Sequence, residues 1–103
     1  MGARPVKMSE AEIRTALAGL PTWRLADGKL HREYQFANFI EAFGFMAQAA
    51  LVAEAMNHHP EWFNVYRSVR VDLATHDAGG VTGLDFDLAQ KMEALARRQG
   101  SGG

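Results

Sequence analysis

The dipeptide Asp27-Gly28 restricts the fold of this chain more than any other feature, because it lies between two segments of alternating polar and apolar residues. Asp-Gly in such a setting is a strong signal for a type I′ turn, in which both central residues need a positive φ. Trp23 and Leu25 alternate before the turn. The segment after it carries four residues on one face: Leu30, Arg32, Tyr34 and Phe36. The sequence therefore predicts an antiparallel β-hairpin.

A second stretch of alternation, over residues 63–75, predicts two further strands. Its apolar face carries Val69, Val71 and Leu73. A bend near Arg67-Ser68 would divide the stretch into a second antiparallel pair. The chain is therefore expected to contain four strands.

Capping patterns mark the first and last helices. Ser9 and Glu12 have the spacing of a capping box before a short helix over about residues 10–18. After the loop HDAGGV, Thr82 and Asp85 have the same spacing. The final helix is expected to bury Phe86, Ala89, Met92 and Leu95 or Ala96.

A longer helix is predicted between the two strand pairs. Asn38 is expected to cap it, and Pro60 ends it by about Asn57 or His58, because the residue before proline is restricted to extended conformations. Its apolar stripe is expected to consist of Phe39, Phe43, Met46, Ala47, Ala50 and Leu51.

The order of elements is thus α-β-β-α-β-β-α, which predicts an α+β fold. We expect a two-layer sandwich, with a four-stranded antiparallel sheet and the helices packed on one face. A chain of 103 residues is one domain by length. We expect a single domain over residues 1–103, with its core at about 9–97 and flexible termini at 1–8 and 98–103.

Composition excludes several classes of function. A net charge of −1 gives no sign of a nucleic-acid groove or a polybasic membrane anchor. The chain has no cysteine, which excludes disulfides, thiolate nucleophiles and Cys-ligated zinc. The most apolar stretch, residues 43–53, is interrupted by Gln48 and is expected to be too short to span a bilayer. With no secretory signal, the expected location is cytoplasmic.

Residues 56–62 read MNHHPEW and place two histidines where the long helix should end. Glu54 and His58 are four residues apart, so the carboxylate could orient the imidazole and stabilise its cationic form. A simpler explanation is available. A histidine in the last turn of a helix is favoured by the helix dipole and by the free carbonyls there.

Four other residues could contribute to a pocket near His58. His76 follows the last predicted strand, in a loop where functional side chains are common. Trp62 and Tyr66 could wall a pocket for a flat heterocycle or could be ordinary core residues. Asp85 is expected to be mainly a helix cap. His31, on the hairpin, is expected to be exposed and unrelated.

These residues have the spacing Glu54-x3-His58-His59-Pro60-x5-Tyr66-x9-His76-x8-Asp85. The pattern resembles the signature of the pterin-4a-carbinolamine dehydratase family. The resemblance implies a hydro-lyase that dehydrates 4a-hydroxytetrahydrobiopterin, or a related 4a-hydroxytetrahydropterin, to the quinonoid dihydropterin. This reaction recycles the pterin used by aromatic amino acid hydroxylases. The family needs no metal or organic cofactor.

The resemblance also implies roles for individual residues. His58 and His76 would be the acid/base pair, His59 would help to position the pterin, and Glu54 would support His58. The substrate would lie against the segments His58–Pro60 and Thr75–Ala78. The residues expected to bind substrate are His58, His59, Pro60, Trp62, Thr75, His76, Asp77 and Ala78. Tyr66 and Asp85 would give secondary support.

The partners implied are a pterin substrate, further copies of the chain in a dimer or tetramer, and an aromatic amino acid hydroxylase in the same pathway. Neither nucleic acid nor a membrane is expected to bind directly. One alternative is a non-catalytic regulatory protein that binds a hydroxylase or a transcriptional regulator. A zinc site built from the histidines and Glu54 is disfavoured, because the adjacent His58 and His59 project in different directions.

Overall fold

The structure is a computed structural model that describes residues 5–99. Those residues form three α-helices: α1 (Glu10–Ala16), α2 (Phe39–Met56) and α3 (Gly83–Arg98). They also form four strands: β1 (Arg24–Ala26), β2 (Lys29–Gln35), β3 (Glu61–Val65) and β4 (Ser68–Leu73). Short 3-10 turns follow α1 at Leu17–Gly19 and β4 at His76–Ala78. The expected flexible termini lie partly outside the described residues, and their flexibility stays a prediction.

The four strands form one antiparallel sheet in the order β1-β2-β4-β3. The turn between β1 and β2 has φ of 53° at Asp27 and 76° at Gly28, as the predicted hairpin requires. The central pair is in register with Leu30 opposite Leu73. The order of elements and the α+β fold predicted from the sequence are confirmed.

One face of the sheet is covered by helices, and the core lies between the two layers. The residues it takes from β2 and β4 are almost completely buried: Leu30, Tyr34, Val69, Val71 and Leu73. Burying a side chain of this size contributes roughly 1.5–3 kcal/mol to stability. This alternating face is the largest reason that the period-two segments form a sheet.

The predicted apolar stripe of α2 is wrong. The helix instead buries a different face, made of Ala42, Phe45, Ala49 and Ala53. Of the predicted residues, Met46 is partly buried, and five are exposed: Phe39, Phe43, Ala47, Ala50 and Leu51. Both stripes repeat at helical spacing. The stripe rich in alanine is the buried one because its small side chains let α2 lie close to the sheet and α3. The helix is left with exposed apolar side chains, of which Ile40 (81%) and Leu51 (73%) are the most accessible.

The apolar stretch expected to be too short to span a bilayer, residues 43–53, lies within the longer helix α2. Within residues 5–99, α2 is long and apolar enough to cross a membrane, by length and composition only. Its 18 residues make a helix about 27 Å long, close to the ~30 Å thickness of the hydrocarbon core. A core helix of a water-soluble protein meets the same criterion, and α2 buries a face against its own sheet.

Candidate functional site

A surface cavity of about 370 Å³ lies between the end of α2 and the turn that follows β4. Three of the four histidines of the chain line it: His58, His59 and His76. The remaining lining comes from Asn57, Pro60, Glu61, Ala74, Thr75 and Asp77. The structure therefore brings imidazoles from two distant segments to one concave surface.

The end of α2 explains why neighbouring histidines have different surroundings. Asn57 is the C-cap and adopts a left-handed conformation, with φ of 51° and ψ of 42°. The chain thereby leaves the helix, while the His58 N–H still donates to the Ala53 carbonyl at 3.0 Å. His58 then turns inward and is buried, whereas His59 is exposed. Asparagine is one of the few residues that adopts this conformation at low cost.

His58 is paired with Asp85 rather than with Glu54. Its Nε2 atom lies 2.6 Å from Asp85 Oδ1, and the aspartate is completely buried (0% exposed). The expectation that Glu54 supports His58 is wrong, because the left-handed turn at Asn57 takes His58 off the helical face that carries Glu54. The predicted capping box of Thr82 and Asp85 is confirmed. Asp85 was expected to give only secondary support to the site, whereas it contacts His58 directly.

Glu54 instead contacts His59, with its Oε1 atom 2.8 Å from His59 Nε2. Both side chains are exposed, so this pair contributes at most about 1 kcal/mol. Glu54 does not belong to the cavity lining.

His76 contacts a third carboxylate, that of Glu61, which was not predicted from the sequence. Its Nε2 atom lies 3.4 Å from Glu61 Oε2, and the other oxygen of Glu61 accepts from Lys29 Nζ at 2.6 Å. The hydrogen bond from Lys29, with a smaller contribution from His76, lowers the pKa of the Glu61 carboxyl. The signal available was its position directly after the His-His-Pro segment. Each histidine of the cavity therefore has its own carboxylate.

The other predicted site residues divide into two groups. Pro60, Thr75 and Asp77 line the cavity, as expected from the resemblance. Trp62, Tyr66 and Ala78 do not. Trp62 packs partly buried against the core because it lies on the helix-facing side of β3, and Tyr66 is exposed in the turn between β3 and β4.

A second cavity of about 270 Å³ lies on the other side of His76. It shares Glu61, Ala74, Thr75 and His76 with the first cavity. Its far side is formed by the β1–β2 turn and by Gly79 and Gly80. His76 therefore stands between two concave regions.

His31 is not exposed, contrary to expectation. Its Nδ1 atom lies 2.7 Å from Asp72 Oδ1, and its Nε2 atom lies 2.9 Å from Glu33 Oε2. Burial of the ring lowers the pKa of His31, but hydrogen bonds to Asp72 and Glu33 outweigh this effect, so the pKa is raised above 6.5. The cross-strand pairing with Asp72 buries a ring that sequence alternation placed on the open face. His31 remains outside the candidate site.

Within residues 5–99, no three histidine, aspartate or glutamate side chains are arranged to hold a metal ion. Asp85, Glu54 and Glu61 each contact a different histidine instead of converging on a common point. The arrangement supplies several separate proton donors and acceptors around one volume.

Comparison with known proteins gives consistent matches along most of the chain. Residues 6–95 match the family model described as pterin 4 alpha carbinolamine dehydratase. A Solibacter usitatus protein named as a candidate pterin-4-alpha-carbinolamine dehydratase is 64% identical over 90 residues, which cover 87% of this chain and 95% of that protein. A Rhizobium leguminosarum protein named in the same way is 54% identical over 96 residues, covering 91% and 95%.

A solved structure is also similar. The crystal structure of a Brucella melitensis protein described as a transcriptional coactivator/pterin dehydratase superposes with a TM-score of 0.84 at 51% sequence identity. The match covers 87% of this chain and 98% of that one.

Proposed function

Because the chain belongs to the pterin 4 alpha carbinolamine dehydratase family, we propose that it is a hydro-lyase of pterin recycling. The substrate is 4a-hydroxytetrahydrobiopterin or a related 4a-hydroxytetrahydropterin, and the product is the quinonoid dihydropterin. In this proposal the enzyme acts in the cytoplasm on the pterin released by an aromatic amino acid hydroxylase. The observation that carries the proposal is the convergence of His58, His59 and His76 on one cavity.

The size and lining of the cavity suit a small heterocycle. Pockets for small molecules usually enclose about 300–1,000 Å³ and fix their ligand with a few well-placed polar groups. The volume of about 370 Å³ lies at the lower end of that range. A bicyclic pterin is a ligand of this size, and its ring nitrogens and hydroxyl are suitable partners for imidazoles.

The reaction needs two proton transfers. The 4a-hydroxyl takes up a proton and leaves as water while the C4a–O bond breaks, and N5 loses a proton as the C4a–N5 double bond forms. An imidazole with an ordinary pKa of about 6.5 can perform either transfer near neutrality, for roughly 10²–10⁴-fold in rate. His58 and His76 are the proposed acid/base pair, and His59 positions the ring.

The direct test is dehydration of freshly generated 4a-hydroxytetrahydropterin, followed by ultraviolet absorbance. We expect the wild-type protein to exceed the spontaneous rate and a His58→Ala/His76→Ala variant to lose about 10²–10⁴-fold of its activity. His31→Gln is the matched control, because it changes the histidine outside the cavity. A double variant as fast as the wild type would refute the assignment of the site.

The exposed face of α2 supports a second element of the proposal, self-association as a dimer or tetramer. Four large apolar side chains are accessible on this helix: Phe39, Ile40, Phe43 and Leu51. A contiguous apolar patch on a soluble domain is typical of an interface. The same face would serve the alternative function, a non-catalytic regulatory role with a protein partner, which the description of the Brucella melitensis protein as a coactivator makes relevant.

Light scattering after size-exclusion chromatography tests this assembly. An Ile40→Glu/Phe43→Glu variant should be a monomer at concentrations where the wild type is an oligomer. Asp87→Asn, an exposed change on α3, is the control. A wild type that is monomeric at all concentrations would exclude self-association. If His58→Ala/His76→Ala lost no cellular function, the non-catalytic role would be favoured over the dehydratase.

A further inference from the structure

We propose that His58 exchanges its proton through Nδ1, and that a buried hydrogen-bond chain from Thr82 through Thr75 to Asp85 imposes this choice. The inference rests on the proposed function for its catalytic meaning. The orientation of the chain follows from hydrogen-bond geometry alone, and it can be measured without any substrate.

Both oxygens of Asp85 have hydrogen-bond partners from different parts of the fold. Oδ2 lies 2.9 Å from the Thr75 hydroxyl and 2.9 Å from the Thr82 backbone N–H. Oδ1 lies 2.6 Å from His58 Nε2. All of these groups are buried, so an unsatisfied donor or acceptor here would cost about 1–3 kcal/mol. The aspartate is therefore fixed in one orientation by the segment after β4, the N-cap of α3 and the end of α2.

Proton counting gives the chain one direction. The Thr75 hydroxyl has a single hydrogen, which it donates to Asp85 Oδ2. The Thr75 oxygen also lies 2.7 Å from the Thr82 hydroxyl, so in that pair Thr82 must be the donor. The Thr82 oxygen in turn accepts from the Leu84 N–H at 3.2 Å. The order of donation is Leu84, Thr82, Thr75 and then Asp85.

As a carboxylate, Asp85 has no hydrogen to donate, so the hydrogen between Asp85 and His58 belongs to Nε2 of the imidazole. Among residues 5–99, no buried side-chain nitrogen or oxygen lacks a hydrogen-bond partner. Nε2 is the only ring nitrogen of His58 with such a partner there. Nδ1 must then lie on the accessible edge of the ring. Because His58 lines the cavity, we infer that this edge is the one that faces it.

Nδ1 is therefore the atom available for catalysis. In neutral His58 it carries a lone pair that can accept the N5 proton. In the imidazolium form it carries a proton that can pass to the departing 4a-hydroxyl. Asp85, Thr75 and Thr82 are positioning residues, since they act through His58 and contribute no reacting atom.

Asp85→Asn tests the assignment because its amide has a forced orientation. The amide oxygen must take the Oδ2 position, where two donors point at it, and this turns the NH₂ group toward His58 Nε2. Nε2 then has to accept, so the neutral ring holds its hydrogen on Nδ1. We expect nitrogen-15 NMR of labelled protein to show Nε2–H in the wild type and Nδ1–H in the variant.

The same variant should lose about 10²–10⁴-fold in kcat, because its cavity-facing nitrogen has no lone pair. Asp87→Asn removes the same charge from an exposed position of α3 and should keep both the wild-type tautomer and the wild-type rate. Nδ1–H in the wild type, or an unchanged tautomer in Asp85→Asn, would overturn the inference. A wild type that shows Nε2–H but does not accelerate dehydration would refute the proposed function and leave the hydrogen-bond chain supported.

Thr75→Val tests the chain one step further back. It has nearly the shape of threonine but cannot donate to Asp85, so we expect roughly tenfold lower kcat with little change in KM. Thr75→Ser restores the hydroxyl and should restore the rate. If the serine variant were as slow as the valine variant, packing rather than hydrogen bonding would explain the loss and the positioning role would be wrong.

Discussion

Two carboxylates on α3, Asp85 and Glu93, each have hydrogen-bond partners in three other residues, but only Asp85 contacts a residue that lines the cavity. Asp85 pairs with His58 and accepts from the Thr75 hydroxyl and the Thr82 backbone N–H. Glu93 accepts through one oxygen from three side chains: Trp23 at 2.9 Å, Arg32 at 3.1 Å and Tyr34 at 2.6 Å. Both groups join α3 to the rest of the fold.

The difference lies in what the donors can do with their protons. The indole of Trp23 and the guanidinium of Arg32 keep theirs at any ordinary pH. Burial, followed by the hydrogen bond to Glu93, raises the pKa of Tyr34 far above its usual value of 10.0. His58 is an imidazole, a group that can both accept and donate a proton, and it lines the cavity. A buried group of polar side chains therefore indicates a catalytic site only when one of them can exchange a proton with a ligand in a cavity.

The largest effect on stability should come from Glu93→Gln. The change removes the carboxylate that faces the buried Arg32 guanidinium, so we expect a loss of about 3 kcal/mol in the free energy of unfolding. Urea denaturation gives this quantity, and the rate per folded molecule should stay at the wild-type level. A fall in that rate comparable to the fall in Asp85→Asn would erase the distinction between the two carboxylates.

The hydrogen bonds that Glu93 accepts from Trp23, Arg32 and Tyr34 also predict how the free energy of unfolding changes at acid pH. Burial raises the pKa of Glu93, but the hydrogen bonds from Tyr34, Trp23 and Arg32 outweigh burial and hold it below 4.5. The stabilisation is then present above pH 4.5 and is lost as the pH falls through the lower, folded pKa. Unfolding measured between pH 6 and pH 3 (roughly the range that carboxyl groups titrate) should show a shallower decline for Glu93→Gln than for the wild type.

A smaller effect is expected for Tyr34→Phe, which removes one donor and keeps the aromatic packing. The loss should be about 1 kcal/mol, typical of a single hydrogen bond, with no change in catalysis. Thermal denaturation and the dehydration assay together check this. A loss as large as that in Glu93→Gln would show that Tyr34, rather than Arg32, dominates the cluster.

The smallest effect should come from His31→Gln. This variant compares a histidine that has two carboxylate partners with His58, which has one. His31 has a carboxylate on each nitrogen and so has no atom left for a substrate. Because its pKa is raised, its stabilisation is complete below pH 6.5 and disappears as the pH rises through the folded pKa. We expect a difference below about 1 kcal/mol, larger at pH 5.5 (roughly one unit under the ordinary value) than at pH 9 (about two or more units over it).

The parts of the fold set by neighbouring residues could be predicted from the sequence. The Asp27-Gly28 turn and the three helix caps depend on side chains within four positions, and the structure has all of them. The face of α2 could not be chosen, because two apolar stripes have the same period and only the packing partner distinguishes them. Periodicity reports that a helix has a buried side without reporting which one.

The site follows the same rule. The histidines were identified by their positions at the end of a predicted helix and after a predicted strand, and then by a spacing that resembles a family signature. The partner of His58 was missed because Glu54 is close in sequence, whereas Asp85 is 27 positions away and already had a sufficient local role as a cap. Glu61 was missed because its contact with His76 depends on how β3 is placed against the turn after β4.

The capping box of α3 has a consequence for how the protein fails. The residues that start this helix are also those that orient Asp85, so fraying of a single helical turn would silence the enzyme while its sheet and core stayed intact. Heat, denaturant or a distant destabilising change should then abolish turnover before it melts the domain. For this protein, loss of activity would detect partial unfolding earlier than circular dichroism does.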